Sequence, residues 1–389
     1  MPVNYLQIQG QIQAKCQQAS QNQQVYQDRL EQAVRLLRQY AADLDDLRDR
    51  VNEARQADLS LRCAVPLTER LDTVCDAPVI RELPPLLAAD GSQVNPSRHD
   101  AVEFAVINTG IFRILPATHL TPSEDAETQL YLLDDLRNPD APLTEEVVAL
   151  RRDLNERRLL AERAAREPSQ PVITLTDGPL ELYREPRNNS QFDHLLSEYL
   201  TVLQKTGRQG AVSAGYVDKP GSDLVVRLLE LTAEPRQPVQ ETARRRPLGG
   251  VLDRVIFAGL LAPGQRSAVF AIQSSMAERF AVYDPALQPC FFYLNVGNHP
   301  ARPWMARVEI PRGVAEQTDL VDALHAVLLQ QCRQMGSKPY PYALHRAHEI
   351  ALITRLEKEQ IETMIARAMR AMGLAVGEKS PKQYHKDSF

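Results

Sequence analysis

Cysteine is scarce in this chain of 389 residues, and its few copies form no pattern. Cys16, Cys63, Cys75, Cys290 and Cys332 are odd in number and widely spread, with no CxxC pair. That disfavours a disulfide framework or a zinc site and fits the reduced thiols of an intracellular protein. Long apolar runs are absent too, since no stretch approaches the ~20 residues that a membrane-spanning helix needs. The opening Met1-Pro2-Val3-Asn4-Tyr5-Leu6-Gln7 has no apolar signal core. A soluble, cytoplasmic protein with no membrane attachment is the expectation. Positive charge is not in excess: Lys and Arg total 45 against 50 Asp and Glu, a formal charge of −5. A generally basic nucleic-acid coat is thereby disfavoured, whereas a local basic patch is not. There is no Walker loop, GxGxxG or GxSxG, so nothing points to a nucleotide-hydrolysing or serine-hydrolase site. His345-Arg346-Ala347-His348-Glu349 is not HExxH, which disfavours a zinc protease.

Apolar residues make up 43 % of the chain, enough for a real core in one large domain or two smaller ones. Twenty-seven prolines against seventeen glycines indicate a loop-rich chain with many stops. Residues 7–27 are glutamine-rich and carry little apolar pattern. From Leu30 the pattern sharpens, with Leu30, Val34, Leu37, Ala41, Leu44 and Val51 on one stripe and Arg48 in one slot. This predicts one long amphipathic helix, either a short coiled coil or a helix packed on its own domain. Residues 1–80 read as a helical N-terminal extension, 81–375 as the main domain and 376–389 as a polar tail. Within the main domain, strands are expected over 86–92, 101–114, 172–177, 210–217, 268–274, 291–296 and 304–310. Helices are expected over 144–166, 190–206, 223–231, 319–335 and 342–372. Residues 116–143 read as a surface connection and 233–250 as a basic, mobile loop. Strands alternating with helices indicate an α/β or mixed α+β fold.

The chemistry gathers around one short stretch and its echo. Leu86-Leu87-Ala88-Ala89-Asp90-Gly91-Ser92 is an apolar run that ends in an aspartate followed by glycine; Val172-Ile173-Thr174-Leu175-Thr176-Asp177-Gly178-Pro179 repeats the arrangement. Each predicts a buried strand with a carboxylate at its carboxyl edge and a glycine turn at once after it. A single Asp-Gly is most often only a turn, because Asp bonds its own backbone and Gly accepts positive φ. Two copies side by side make an acidic pocket able to hold divalent metal. Phosphodiester cleavage needs charge neutralised on the attacking and leaving oxygens, which two divalent ions about 4 Å apart can do if carboxylates hold them. Mg²⁺ and Mn²⁺ favour such oxygen ligands. Glu156 or Glu162, on the helix over 144–166, could complete the set. Lying six residues apart, they point to different faces, so only one can join. A solvated ion pair is the commoner role for a glutamate on such a helix. Lys219, at a strand end, is placed to steady a phosphate, although a lone lysine is usually surface decoration. His348 is a candidate for metal binding or proton transfer.

Taken in order, several motifs resemble the NurA nuclease family. They are Ala89-Asp90-Gly91-Ser92, the Arg/Glu helix, Leu175-Thr176-Asp177-Gly178-Pro179-Leu180, Gly215-Tyr216-Val217-Asp218-Lys219 and Tyr340-Pro341-Tyr342-Ala343-Leu344-His345-Arg346-Ala347-His348. The resemblance runs from about residue 84 to about 370. It implies an RNase H-like core with a mixed sheet flanked by helices. It implies a manganese-dependent DNA nuclease with 5′ to 3′ polarity that also cuts single strands internally. A homodimer with a central channel follows, together with a HerA-type hexameric ATPase that drives DNA through it in double-strand-break end resection. Single- and double-stranded DNA would both be substrates. By motif position Asp90, Asp177 and Glu156, with Glu162 in reserve, would hold Mn²⁺ (or Mg²⁺) as two ions. His348 would be a further ligand or proton carrier and Lys219 the phosphate lysine, while Tyr340 would serve the site or its turn. Arg244, Arg245 and Arg246 would guide the DNA backbone. The first 60 residues and the loop over 233–250 depart from the family pattern. Two other readings stand beside this one. A non-catalytic DNA clamp with a degenerate nuclease fold is favoured if neither helix glutamate approaches Asp90. A coiled-coil adaptor requires that both Asp-Gly pairs be turns alone.

Overall fold

The computed structural model describes residues 3–116, 118–132, 135, 143–182, 191–234 and 237–378. Its contacts separate two units, each assembled from distant parts of the chain. One comprises Met1–Asp76, Lys219–Arg279 and Cys290–Arg307; the other comprises Ala77–Asp218, Phe280–Pro289 and Val308–Phe389. No helix among the described residues is long and apolar enough to cross a membrane.

The second unit carries both Asp-Gly stretches. Its strands lie in the order Ser123–Leu132, Phe104–Ile114, Leu86–Val94, Val172–Asp177 and Ala211–Asp218. The first three form an antiparallel meander, with Leu86 opposite Ile114 and Phe104 opposite Leu132. The other two join it in parallel, Leu86 beside Ile173 and Val172 beside Ala211. Parallel neighbours require crossover connections; here these are the helices Glu145–Ala164 and Gln191–Arg208. Thr144 caps the first of them, accepting from the Val147 N–H at 3.4 Å, and Glu145 and Glu146 sit at the positive end of its dipole. Leu86, Leu87, Ala88 and Ala89 are wholly buried, as expected of a strand covered on both faces. This is the mixed, helix-flanked sheet that was expected.

The Ser123–Leu132 strand lies within the stretch expected to be a surface connection. Acids on both of its faces meet helix arginines, Glu127 with Arg158 at 2.7 Å and Asp125 with Arg163 on one, Glu124 with Arg346 at 2.6 Å on the other. Charge of this kind suits an edge strand and removes the apolar alternation that would have revealed it. The single helix expected over 342–372 is two, Tyr342–Ala351 and Arg355–Ala371. Thr354 starts the second through a reciprocal capping box with Glu357. The first is seated directly on the sheet. A Cβ at Gly110 would fall 2.5 Å from the Ala347 carbonyl oxygen and 2.6 Å from the Ala351 nitrogen. Ser92 and Asn108 then hold the helix end by donating to the Ala351 carbonyl at 2.5 and 2.8 Å.

In the first unit the strands Cys63–Pro66, Phe270–Gln273 and Pro289–Asn295 pair antiparallel. The helix expected from Leu30 through Val51 is broken at residues 40–43, giving Tyr5–Gln39 and Leu44–Ala57. Ala33, Leu37, Leu47 and Val51 enter one core with Leu228, Phe257, Phe270 and Phe291. Of the two alternatives for this stripe, packing on its own unit is the one found. The stretch expected to be a mobile basic loop contains the helix Val239–Thr242 and the buried Val239, Ala243 and Leu248. Its arginines are tied down: Arg245 meets Glu234 at 2.5 Å, and Arg246 meets Glu230 at 2.6 Å as well as Asp223.

Candidate active site

Sheet register brings the two aspartates together. Ala89 stands beside Thr176 on parallel strands, so Asp90 and Asp177 follow one step later on neighbouring chains, which lie ~4.8 Å apart. Asp177 ends its strand as expected, and Gly178 turns the chain with φ 91°. Asp90 does not end its strand: pairing continues through Asp90–Gly110 and Gly91–Thr109 to Val94. Gly91 therefore serves a different purpose from a turn. A Cβ there would lie 2.5 Å from Arg152 Cγ and 2.8 Å from Glu156 Oε1. The bare backbone admits the side chains of the Glu145–Ala164 helix over the strand, directly beside Asp90.

Glu156 is thus the helix glutamate that reaches the aspartates, and only 8 % of its side chain is exposed. Glu162, six residues on, is partly exposed on another face. Burial is the chief reason that the Glu156 carboxyl is held well above the usual carboxylate range; the charges of Asp153 and Asp90 push the same way, against Arg152 and Arg157. Arg152 lies alongside, its Nε 3.6 Å from Glu156 Oε1 and its Nη2 2.7 Å from Asp153. The Asp177 carboxyl meets solvent, yet surrounding protein still raises its pKa. A hydrogen bond from the Tyr340 hydroxyl opposes that rise, and the charges of Asp90 and Asp218 add to it. Tyr340 is braced edge-on against the buried Tyr216, ring centres 5.6 Å apart. His348 faces Asp90 from the helix seated on Gly110, with Nδ1 2.7 Å from Oδ2 and the imidazole 60 % exposed.

The turn after Asp177 is fixed from below. Buried Glu309 accepts the Leu180 and Glu181 N–H groups at 2.9 and 3.3 Å. A Cβ at Gly215 would come within 2.6 Å of the Gly178 carbonyl oxygen. Beside this turn opens a pocket of about 290 Å³ lined by Arg152, Glu156, Arg157, Asp177, Leu182 and Tyr199, among others. Arg157 is buried there, donating to the Ala214 carbonyl at 3.1 Å.

Asp90, Glu156, Asp177, His348 and Tyr340 therefore assemble in one unit. Lys219 belongs to the other unit, in the left-handed region at φ 43° with its ammonium 3.9 Å from the centre of the Trp304 ring. Arg244 makes a long contact of 3.5 Å to the Ala57 carbonyl, while Arg245 and Arg246 are in the ion pairs already described. Arg152, Asp153, Tyr199 and Glu309 escaped the sequence reading. The only sequence signal for Arg152 was its i,i+4 spacing from Glu156. In kind, the donor set of three carboxylates and an imidazole suits Mg²⁺ or Mn²⁺, and the repulsion that Asp90 exerts on both Glu156 and Asp177 would be relieved by a cation. As placed, no three such side chains among the described residues close on one point. Arg152 engages Glu156, and His348 engages Asp90.

Solved structures similar to this chain share little of its sequence. The NurA nuclease from Sulfolobus solfataricus is 13 % identical, with 86 % of this chain and 96 % of that one covered and a TM-score of 0.46. A NurA bound to dAMP and manganese is 12 % identical over 82 % of this chain and 92 % of that one, with a TM-score of 0.35. The catalytic domain of human endonuclease V is 15 % identical over 83 % and 98 %, with a TM-score of 0.34. No curated protein matches the chain. The family model of the NurA domain matches residues 84–353, a span that contains every residue of the carboxylate cluster together with Tyr340 and His348. The chain belongs to the NurA family.

Proposed function

We propose that this chain is a metal-dependent DNA nuclease whose chemistry takes place at Asp90, Glu156 and Asp177. The carrying observation is that carboxylates on two adjacent parallel strands stand beside a helix carboxylate and an imidazole, with a glycine at position 91 that admits the helix. Divalent ions held by such oxygens would neutralise the scissile phosphate and sharpen a water for attack. Asp90 and Asp177 supply the fixed edge of the site, because their strands are locked by backbone pairing. Tyr340 orients the Asp177 carboxylate. His348 leans on Asp90 and is open to solvent, so it can pass a proton between water and a phosphate or leaving oxygen. Lys219 and the arginines at 244–246 are proposed to steady the DNA backbone; Arg245 and Arg246 would first have to leave their ion pairs.

Membership of the NurA family supports a finer reading. Mn²⁺, with Mg²⁺ as substitute, would act as two ions. The enzyme would degrade from 5′ ends, cut single strands internally and work as a homodimer with a HerA-type hexameric ATPase in end resection in the cytoplasm. The clamp reading is favoured where both helix glutamates stay away from Asp90, and the approach of Glu156 to Gly91 supports catalysis instead.

End-labelled single- and double-stranded DNA incubated with the protein in Mn²⁺, Mg²⁺ or EDTA, beside Asp177→Ala, tests this directly. Metal-dependent degradation that falls at least about 100-fold in the variant is expected. DNA that is bound but left intact with every metal would overturn the nuclease in favour of the clamp.

A further inference from the structure

Resting on that reading of the site, we propose that Arg152 is its internal cation, a positioning residue that holds Glu156 until a divalent ion takes the carboxylate over. Three observations converge. The arginine stem is laid across Gly91, where a Cβ would stand 2.5 Å from its Cγ and 2.9 Å from its Cδ, so a glycine is required for it to lie there at all. Its guanidinium reaches two acids at once, with Nε 3.6 Å from Glu156 Oε1 and Nη2 2.7 Å from Asp153 Oδ1. Glu156 is nearly sealed from water, so its ionised form, the form that could hold a metal, is stable there only with a cation beside it.

Glu156 Oε1 faces the arginine. A guanidinium cannot lose its charge at any working pH, so it can make room only by moving. Asp153 supplies the mooring for that motion. The shorter Nη2 contact is to Asp153, so the 3.6 Å contact to Glu156 can be given up while the arginine remains at the rim of the cluster. Ion and arginine are thus competitors for one carboxylate. The exchange is a built-in threshold, because divalent binding has to displace a tethered positive charge before it gains its third oxygen.

The full-length chain, Arg152→Gln, Arg152→Met (which keeps an apolar stem over Gly91), Arg152→Lys and Asp90→Asn would be titrated with MnCl₂ by calorimetry. Each would also be melted in EDTA and in Mn²⁺. The neutral variants should bind Mn²⁺ about tenfold more tightly than the parent, as removal of one competing charge would give. Arg152→Lys should stay near the parent value. In EDTA the neutral variants should melt below the parent, and Mn²⁺ should close that gap. Mn²⁺ affinity unchanged or weakened in both neutral variants would overturn the role of Arg152 and leave the nuclease reading standing. If the parent binds Mn²⁺ no better than Asp90→Asn, the metal reading fails and the role of Arg152 falls with it.

Discussion

Asp253 is wholly buried in the first unit, and burial pushes its carboxyl up to about 6. It stays there although the Val225 and Val226 N–H groups and the Tyr293 hydroxyl, at 3.0, 2.8 and 2.7 Å, all favour the charged form. Its pKa in the fold is therefore above that of the unfolded chain. The stability it contributes is fully present below about 3.8 and is lost as pH rises through about 6. Denaturant unfolding of the parent and Asp253→Asn at pH 4 and pH 7 should show the parent losing up to about 3 kcal/mol relative to the variant between those points. Parallel curves would mean that the carboxyl is ionised throughout. At this scale the adjacency of Asp90 and Asp177 was legible because two apolar runs end in the same Asp-Gly pair. Arg152 was not, since it is one of many arginines on its helix and only its contact with Gly91, far away in the sequence, sets it apart. The dipeptide that reads as a turn at Asp90-Gly91 is strand for the same reason: the glycine answers a neighbour that sequence order does not reveal.

Helices and strands meet most closely where a side chain is missing. Gly110 touches the backbone of the Tyr342–Ala351 helix, and neither Ala347 O nor Ala351 N can rotate away as a side chain would. Gly110→Ala should lift that helix off the sheet and destabilise the fold by about 1–3 kcal/mol. It should also remove most nuclease activity at temperatures where the protein is still folded, because His348 rides on the displaced helix while Asp90 stays with the strand. Melting curves and cleavage rates measured together check this; activity that follows the folded fraction alone would contradict it. Strand pairs of the core were visible as buried apolar runs. The acid-clad Ser123–Leu132 strand carried no such run. The break in the last helical segment was written in Thr354-Arg355-Leu356-Glu357, a capping signature, but the apolar spacing on either side hid it.

The chain passes from one unit to the other five times, at residues 76–77, 218–219, 279–280, 289–290 and 307–308. Shortening it from the N-terminus should therefore act in two steps. Among the described side chains of residues 3–25 every one is exposed, so removal of residues 1–25 should leave the melting temperature within about 2 °C of the parent. Removal of residues 1–57 also strips Ala33, Leu37, Leu47 and Val51 from the core of the first unit, and calorimetry should then find that unit's cooperative transition lost. Equal melting of both truncations would show that the first unit does not depend on those helices. The interleaving has a further consequence, for the order in which a ribosome delivers the chain. The first unit lacks its last segment until Arg307 has been made, and the second awaits the helix that carries His348. Neither unit can therefore be completed before residue 307 has been made, and the first is complete before the second. For most of its translation both cores are half-built and exposed to other chains, and a message cut short before Arg307 would leave neither unit complete.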